Sequence, residues 1–248
     1  MSGHSKWATT KYRKGAQDKA RAKLFAKLIR QVEVAAREGG ADLNANATLR
    51  TMYQKARDAS VPSDTIERAI KRGSGDLEGV RYEAVNYEGY APGGVAVIVE
   101  TLTDNRNRTG ADVRNLFSRN GGSLAEPGAV SWQFERKGVV VVADGDEDKV
   151  MEVATEAGAE DMSADDGRFV VTCAPNDLSG LRSALEEAGL SIESSDLILE
   201  PTATVPVADE GEAKKVLRLL EAIDDHDDVQ AVHANYDIAE DVLAGFYG

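Results

Sequence analysis

Apolar positions change period along the chain, and the changes mark out its organisation. Residues 1–16, with Gly3 and Gly15, show no apolar repeat and read as a flexible arm. From Gln17 onward Leu24, Phe25, Leu28, Ile29, Val32 and Ala36 recur at helical spacing, with Lys and Arg on the other faces. Gly39-Gly40 ends that pattern. A second helix is predicted over about 45–59, with Leu49, Met52, Tyr53 and Ala56 inward. Pro62-Ser63 opens a third, with Ser63 as N-cap, Ile66 and Ile70 inward and Gly73 at the C′ position. The run Gly73-Ser74-Gly75 then reads as a linker.

Beyond it the period falls to two. Residues 82–88 and 95–101 read as strands around the turn Gly89-Tyr90-Ala91-Pro92-Gly93-Gly94. A helix over 109–120 follows, with Val113, Leu116 and Phe117 inward and Thr109 and Asp112 at capping-box spacing. Residues 129–134 read as the next strand. Residues 138–200 then give strand, helix, two strands, helix and strand, the βαββαβ order of a ferredoxin-like unit. A last helix (217–223) and strand (229–236) have no core beside them in sequence, so they are expected to complete the sheet of residues 80–136. The expected fold class is α+β: an N-terminal three-helix domain followed by two α/β domains, one ferredoxin-like and inserted in the other. The expected divisions are a basic flexible arm (1–20), a helical domain (21–75), an α/β domain (80–136 plus 202–240) and the inserted domain (138–200).

Charge sharpens this division. The net charge is −14, yet residues 1–30 hold nine cations against one acid, so residues 31–248 total −22. Such asymmetry hints at contact with nucleic acid or membrane. No stretch nears the roughly 18 apolar residues of a membrane span, and no apolar region follows the basic start, so neither a span nor a secretory signal is expected. Cys173 is the one cysteine, which excludes an intrachain disulfide and a Cys-based zinc site and suits a reducing cytoplasm.

Two segments carry candidate chemistry. In the first, His4, Lys6, Lys11, Arg13, Lys14, Lys19, Arg21 and Lys23 accompany Trp7 and Tyr12. Cations neutralise phosphates and release counterions, while aromatic rings stack on bases. The plain alternative is a solvated helix face with a loose tail. In the second, Asp104-Asn105-Arg106-Asn107-Arg108-Thr109 leads into a predicted helix that also carries Arg114. A helix N-terminus favours an anion, and arginine clamps phosphate with two parallel bonds. The alternative there is turn chemistry, with Asn and Asp as caps and the arginines paired to nearby carboxylates. The glycine turn at 89–94 leads into a strand, so it reads as a hairpin rather than a phosphate loop. Asp224-Asp225-His226-Asp227-Asp228 reads as a solvated acidic loop, since adjacent residues cannot all face one metal. No HExxH, GxSxG, P-loop or helix-opening GxGxxG occurs, so no enzymatic activity, cofactor, metal or small-molecule substrate is expected.

The segments Gly3-His4-Ser5-Lys6-Trp7, Lys23-Leu24-Phe25, Tyr87-Glu88-Gly89-Tyr90-Ala91-Pro92-Gly93-Gly94 and Asp104-Asn105-Arg106-Asn107-Arg108-Thr109 resemble signatures of the YebC/PmpR family. Glu156-Ala157-Gly158-Ala159-Glu160-Asp161 resembles another. The resemblance spans nearly the whole chain. It implies the three-domain fold above and a cytoplasmic, probable DNA-binding transcriptional regulator. Mitochondrial relatives acting as translational activators, and bacterial members linked to the ribosome, imply a second function: a translation factor bound to ribosomal or transfer RNA. Ribosomal proteins would be partners in that case. The chain departs from the family pattern at Thr9-Thr10 and at Tyr12, where His is common; Tyr12 keeps a stacking ring.

Overall fold

The computed structural model describes residues 18–165 and 167–247, which form an α+β fold. Helices α1 (Asp18–Gly39), α2 (Ala47–Asp58) and α3 (Ser63–Ser74) come first. Strands β1 (Glu83–Tyr90) and β2 (Ala96–Thr103), helix α4 (Arg106–Arg119), and strands β3 (Ser123–Leu124) and β4 (Phe134–Asp144) follow. Next are α5 (Glu147–Glu156), β5 (Ala159–Asp165), β6 (Arg168–Cys173), α6 (Leu178–Glu187) and β7 (Ser191–Pro201). The chain continues through β8 (Val205–Pro206), α7 (Glu210–Asp224), β9 (Val229–Ala234), β10 (Tyr236–Asp237) and α8 (Glu240–Tyr247). The described residues divide into two compact units. One holds Gln31–Glu78 and Arg136–Leu199; the other holds 18–30, Gly79–Glu135 and 200–247.

In the first unit the later part of α1 meets α3 at Gly73. A Cβ there would stand 2.3 Å from the Glu33 carbonyl oxygen, so only glycine lets the two backbones approach. Gly73 therefore serves inside the helix, and the left-handed cap expected of it falls to Gly75, at φ 89°. Ser63 begins α3 but gives no capping bond; Pro62 holds the N-cap position. The sheet of this unit has the order β5-β6-β4-β7, the split βαβ arrangement of a ferredoxin-like unit. Val140, Val142, Phe169 and Val171 meet Val150, Ala154, Leu181 and Leu185 of the helices in its core. The valine run of β4 suits a strand buried on both faces.

In the second unit the sheet order is β3-β1-β2-β9. Strands β1 and β2 form a hairpin in register from Glu83↔Thr103 to Tyr90↔Ala96, and β9 pairs antiparallel with β2. The late strand thus returns to the sheet of residues 83–124. Helix α4 packs on β1 and β3, and α7 on β9 and α4. Val97, Val99, Val113, Phe117, Leu217 and Ile223 are fully buried. Gly89 is required by packing, because a Cβ there would lie 2.7 Å from the Phe117 ring. The strand expected over 129–134 is not one. Ser131–Gln133 form a 3-10 turn and the strand starts at Phe134. Its neighbours' backbone N–H groups are drawn to the Glu88 carboxylate instead of to a partner strand.

Candidate nucleic-acid interface

Helix α4 begins three residues earlier than the apolar pattern predicts. Asn105 is the N-cap, its side chain accepting the Arg108 N–H at 3.1 Å. Thr109, expected as the cap, is instead buried in the first turn. Its hydroxyl lies 2.7 Å from Asp228 Oδ2 and 2.7 Å from the Thr103 hydroxyl. Arg108 donates to the same Asp228 oxygen at 2.9 Å and to Asp104 at 2.8 Å. Arg30 of α1 reaches Asp228 Oδ1 at 3.2 Å and the carbonyls of Leu102 and Asp227. Its guanidinium also stands 4.7 Å from the centre of the Tyr82 ring.

Asp228 is thus a buried carboxylate gathering groups from three stretches of chain, at Arg30, at Thr103 and at Arg108-Thr109. Burial pushes its pKa up, but the bonds from Thr109 and Arg108 and the charges of Arg108 and Arg30 outweigh that and hold it below the usual range. Tyr87, whose hydroxyl donates to the Arg106 carbonyl, titrates above its ordinary value, chiefly through burial and with help from Asp228. His226 Nδ1 accepts the Asp228 N–H, so the other ring nitrogen carries the proton and faces Asp112 at 3.3 Å. Arg30, Tyr82, Asp104, Arg108, His226 and Asp228 line a cleft of 580 Å³.

The acidic loop at 224–228 is therefore not simply solvated, as the sequence suggested. Its carboxylates and carbonyls receive one face of α1. Lys23 donates to the Asp225 carbonyl and pairs with its carboxylate at 3.4 Å; Lys27 donates to the Asp224 carbonyl at 2.8 Å and pairs at 3.3 Å. These carbonyls belong to the C-terminus of α7, where cations complement the helix dipole. Burial deepens along the row, from the exposed Lys23–Asp225 pair to the enclosed Arg30–Asp228 pair.

Of the sequence-predicted residues, His4, Lys6, Trp7, Lys11, Tyr12, Arg13 and Lys14 lie outside the described residues. Lys19 and Arg21 fall on the first turn of α1. Lys23 and Arg108 are brought into one region, each bound to acid. Arg106 and Arg114 are exposed and form no ion pair among the described residues. The sequence reading missed Lys27, Arg30, Thr103, Tyr87 and Asp228. The i, i+4, i+7 spacing of Lys23, Lys27 and Arg30 against a run of four aspartates is the signal that could have found most of them. The turn at 89–94 is a hairpin closed by the Ala91 N–H to Val95 carbonyl bond, 2.8 Å. Cys173 is buried, and burial, with the charges of Asp177 and Glu160, pushes its thiol up to about 11. Among the described residues no cluster fits a metal ion, and no helix is long and apolar enough to cross a membrane.

Two family descriptions match the chain. Residues 5–76 match the TACO1/YebC protein N-terminal domain, and residues 82–236 the TACO1/YebC second and third domain. A probable transcriptional regulatory protein of Halothermothrix orenii is 50% identical over 247 residues, covering 98% of each chain. One of the same description from Acidothermus cellulolyticus is 54% identical over 98% of this chain and 99% of its own. The crystal structure of a conserved hypothetical protein from Aquifex aeolicus superposes with a TM-score of 0.84 at 46% identity, over 90% of this chain and 93% of that one.

Proposed function

The chain belongs to the TACO1/YebC family, and from that membership we propose that it is a non-enzymatic regulator of gene expression that binds DNA in the cytoplasm. The relatives' names support regulation at the family level. The observation supporting nucleic acid as the target is the state of its cations. Among the described residues Arg106 and Arg114 stay exposed and form no ion pair, on a chain of net charge −14 and in the same unit as the basic stretch that opens α1. Residues that serve only the fold find carboxylates, as Lys23, Lys27, Arg30 and Arg108 do. We further propose the division into an arm (1–20), a helical domain (21–75), a domain of 80–136 plus 202–240 and an insert (138–200). In it the arm supplies most of the affinity with little sequence preference, since phosphate contacts position without specifying. One observation favours a second reading, a translation factor on the ribosome: residues 31–248 carry −22, which repels duplex DNA but suits basic ribosomal proteins.

Gel shifts on random duplex DNA, beside sedimentation with ribosomes before and after nuclease, separate the two readings. With about five phosphate contacts, a fourfold rise in salt weakens DNA binding by roughly 300- to 1,000-fold. Deleting residues 2–20 is expected to remove most of that salt dependence while the core stays folded around Leu28 and Val32, both buried. A folded deletion that keeps affinity and slope overturns the role of the arm; ribosome co-sedimentation without a gel shift overturns DNA in favour of the second reading.

A further inference from the structure

Lys71 and Arg81 aside, the cations of residues 22–247 that form neither an ion pair nor a side-chain hydrogen bond among the described residues are Arg106, Arg114, Arg119, Lys215 and Arg218. All five are exposed, and all five belong to α4 or α7. These two helices pack on each other over one face of the sheet β3-β1-β2-β9. Asp112 of α4 meets His226, just past α7, at 3.3 Å. At the other end Gly122, just past α4, stands against α7, where a Cβ on it would lie 3.0 Å from a Leu219 methyl carbon. The helices therefore run antiparallel, with the last turn of α4 beside the middle of α7. Thr109, Val113 and Phe117 bury one side of α4, and Val216, Leu217, Leu220 and Ile223 one side of α7. Arg114 and Arg119 are left on the outside of α4, while Gly211, Lys215 and Arg218 recur at i, i+4 and i+7 along the outside of α7.

The carboxylates bordering this layer are occupied or turned from it. Asp112 faces His226, Glu210 pairs with Lys214, and Asp224 and Asp225 pair with Lys27 and Lys23. The Glu212 carboxyl carbon lies against the β1–β2 turn, 3.2 Å from where a Gly93 Cβ would stand. Glu221 is engaged elsewhere. Beyond α4 the next acid in sequence is Glu126, in the loop that Glu88 holds and that carries the 74%-exposed Trp132. Gly89 is turned to Phe117 of α4, so the Glu88 side chain beside it leaves the sheet on the opposite face. What remains on the outside of the layer is a rigid set of cations on two packed helices. Arginine there can clamp phosphate with two parallel bonds, and each contact releases counterions. Given duplex DNA as the target, we propose that the duplex backbone lies across the outer face of α4 and α7, with Arg119, Lys215 and Arg218 as phosphate-binding residues beside Arg106 and Arg114.

The test measures binding of the full chain to random duplex DNA over a salt series. Lys215→Gln with Arg218→Gln, which keep much of the side-chain stems, is expected to lower the slope of log K against log salt by about 1.8, at about 0.9 for each contact beyond those of the arm. Lys215→Arg with Arg218→Lys keeps both charges and is expected to keep the slope, which guards against a folding effect. Lys71→Gln with Arg81→Gln removes the same charge from exposed positions off this layer and is expected to leave the slope unchanged. If the parent binds duplex DNA and the Lys215→Gln, Arg218→Gln variant keeps its slope, the proposal is overturned while the DNA reading stands. A Lys71→Gln, Arg81→Gln variant that loses as much also overturns it, because the effect is then one of net charge alone. A parent that does not bind duplex DNA overturns both.

Discussion

The two ends of the sheet β3-β1-β2-β9 handle charge in opposite ways. At the Thr103 end Arg30, Arg108, Asp104 and Asp228 are bound to one another, and Thr103 and Thr109 fill the remaining positions on Asp228. At the Tyr90 end, seven residues and roughly 23 Å along β1, a buried carboxylate is held by backbone N–H groups instead. The first arrangement consumes cations to close the fold. The second fixes a loop and leaves an aromatic ring open. Charge counted along the sequence therefore measures neither end well: Arg106 and Arg108 sit two residues apart, the first without an ion pair among the described residues and the second bound to Asp104 and Asp228.

The largest effect is expected at the saturated end. Asp228→Asn leaves Arg30 facing a neutral amide in a buried place, which costs about 3 kcal/mol once the half-exposure of Arg108 is discounted. At roughly 2–4 °C per kcal/mol, thermal unfolding should fall by about 6–12 °C. An unchanged midpoint would mean that solvent replaces these partners freely.

At the other end Glu88→Gln weakens three charge-assisted bonds and is expected to cost about 2 kcal/mol. Burial pushes the Glu88 pKa up, but the loop N–H bonds outweigh it and leave the carboxyl below its usual value. The group therefore stabilises the fold above its unfolded pKa of about 4.3, and that stability is lost as pH falls through the lower folded value. The unfolding midpoint of the parent should drop below about pH 4, and the drop should be shallower in Glu88→Gln. Parallel curves would place the acid sensitivity elsewhere.

The smallest change in stability is expected on α4. Arg106→Ala with Arg114→Ala should move the unfolding free energy by no more than about 0.5 kcal/mol, while reducing the slope of log K against log salt on duplex DNA by about 1.8. Arg108→Ala should do the reverse, losing stability and sparing the slope. If all three behave alike, the distinction between free and committed arginines fails.

Much of the fold was legible because period and punctuation agree locally. The helices at 47–58, 147–156 and 178–187 each have a polar cap or a glycine stop, and the valines of β4 permit little but a strand. The element missed at 129–134 looked like a strand because Ala129, Val130, Trp132 and Phe134 are apolar. What decides it is Glu88, over forty residues away, and no local pattern records that. The α4 cap was misplaced for a like reason. Thr109 has the residue type of a cap, but Asp228 claims its hydroxyl, leaving Asn105 to cap the helix. The site was legible only as a stock of cations. Which of them are available depends on the acidic run at 224–228, and pairing across such distances is invisible to spacing.

The Arg30–Asp228 pair also sets a timetable. The two residues are 198 positions apart. At roughly 5–20 residues per second of synthesis, Arg30 is made some 10–40 seconds before its carboxylate exists. Until then the row of Lys23, Lys27 and Arg30 lacks the aspartates at 224–228 that it pairs with in the finished fold, and the central strand β2 lacks its β9 edge. The second unit closes only when the final stretch of chain arrives, so a nascent chain presents this row of cations before the aspartates at 224–228 can neutralise it.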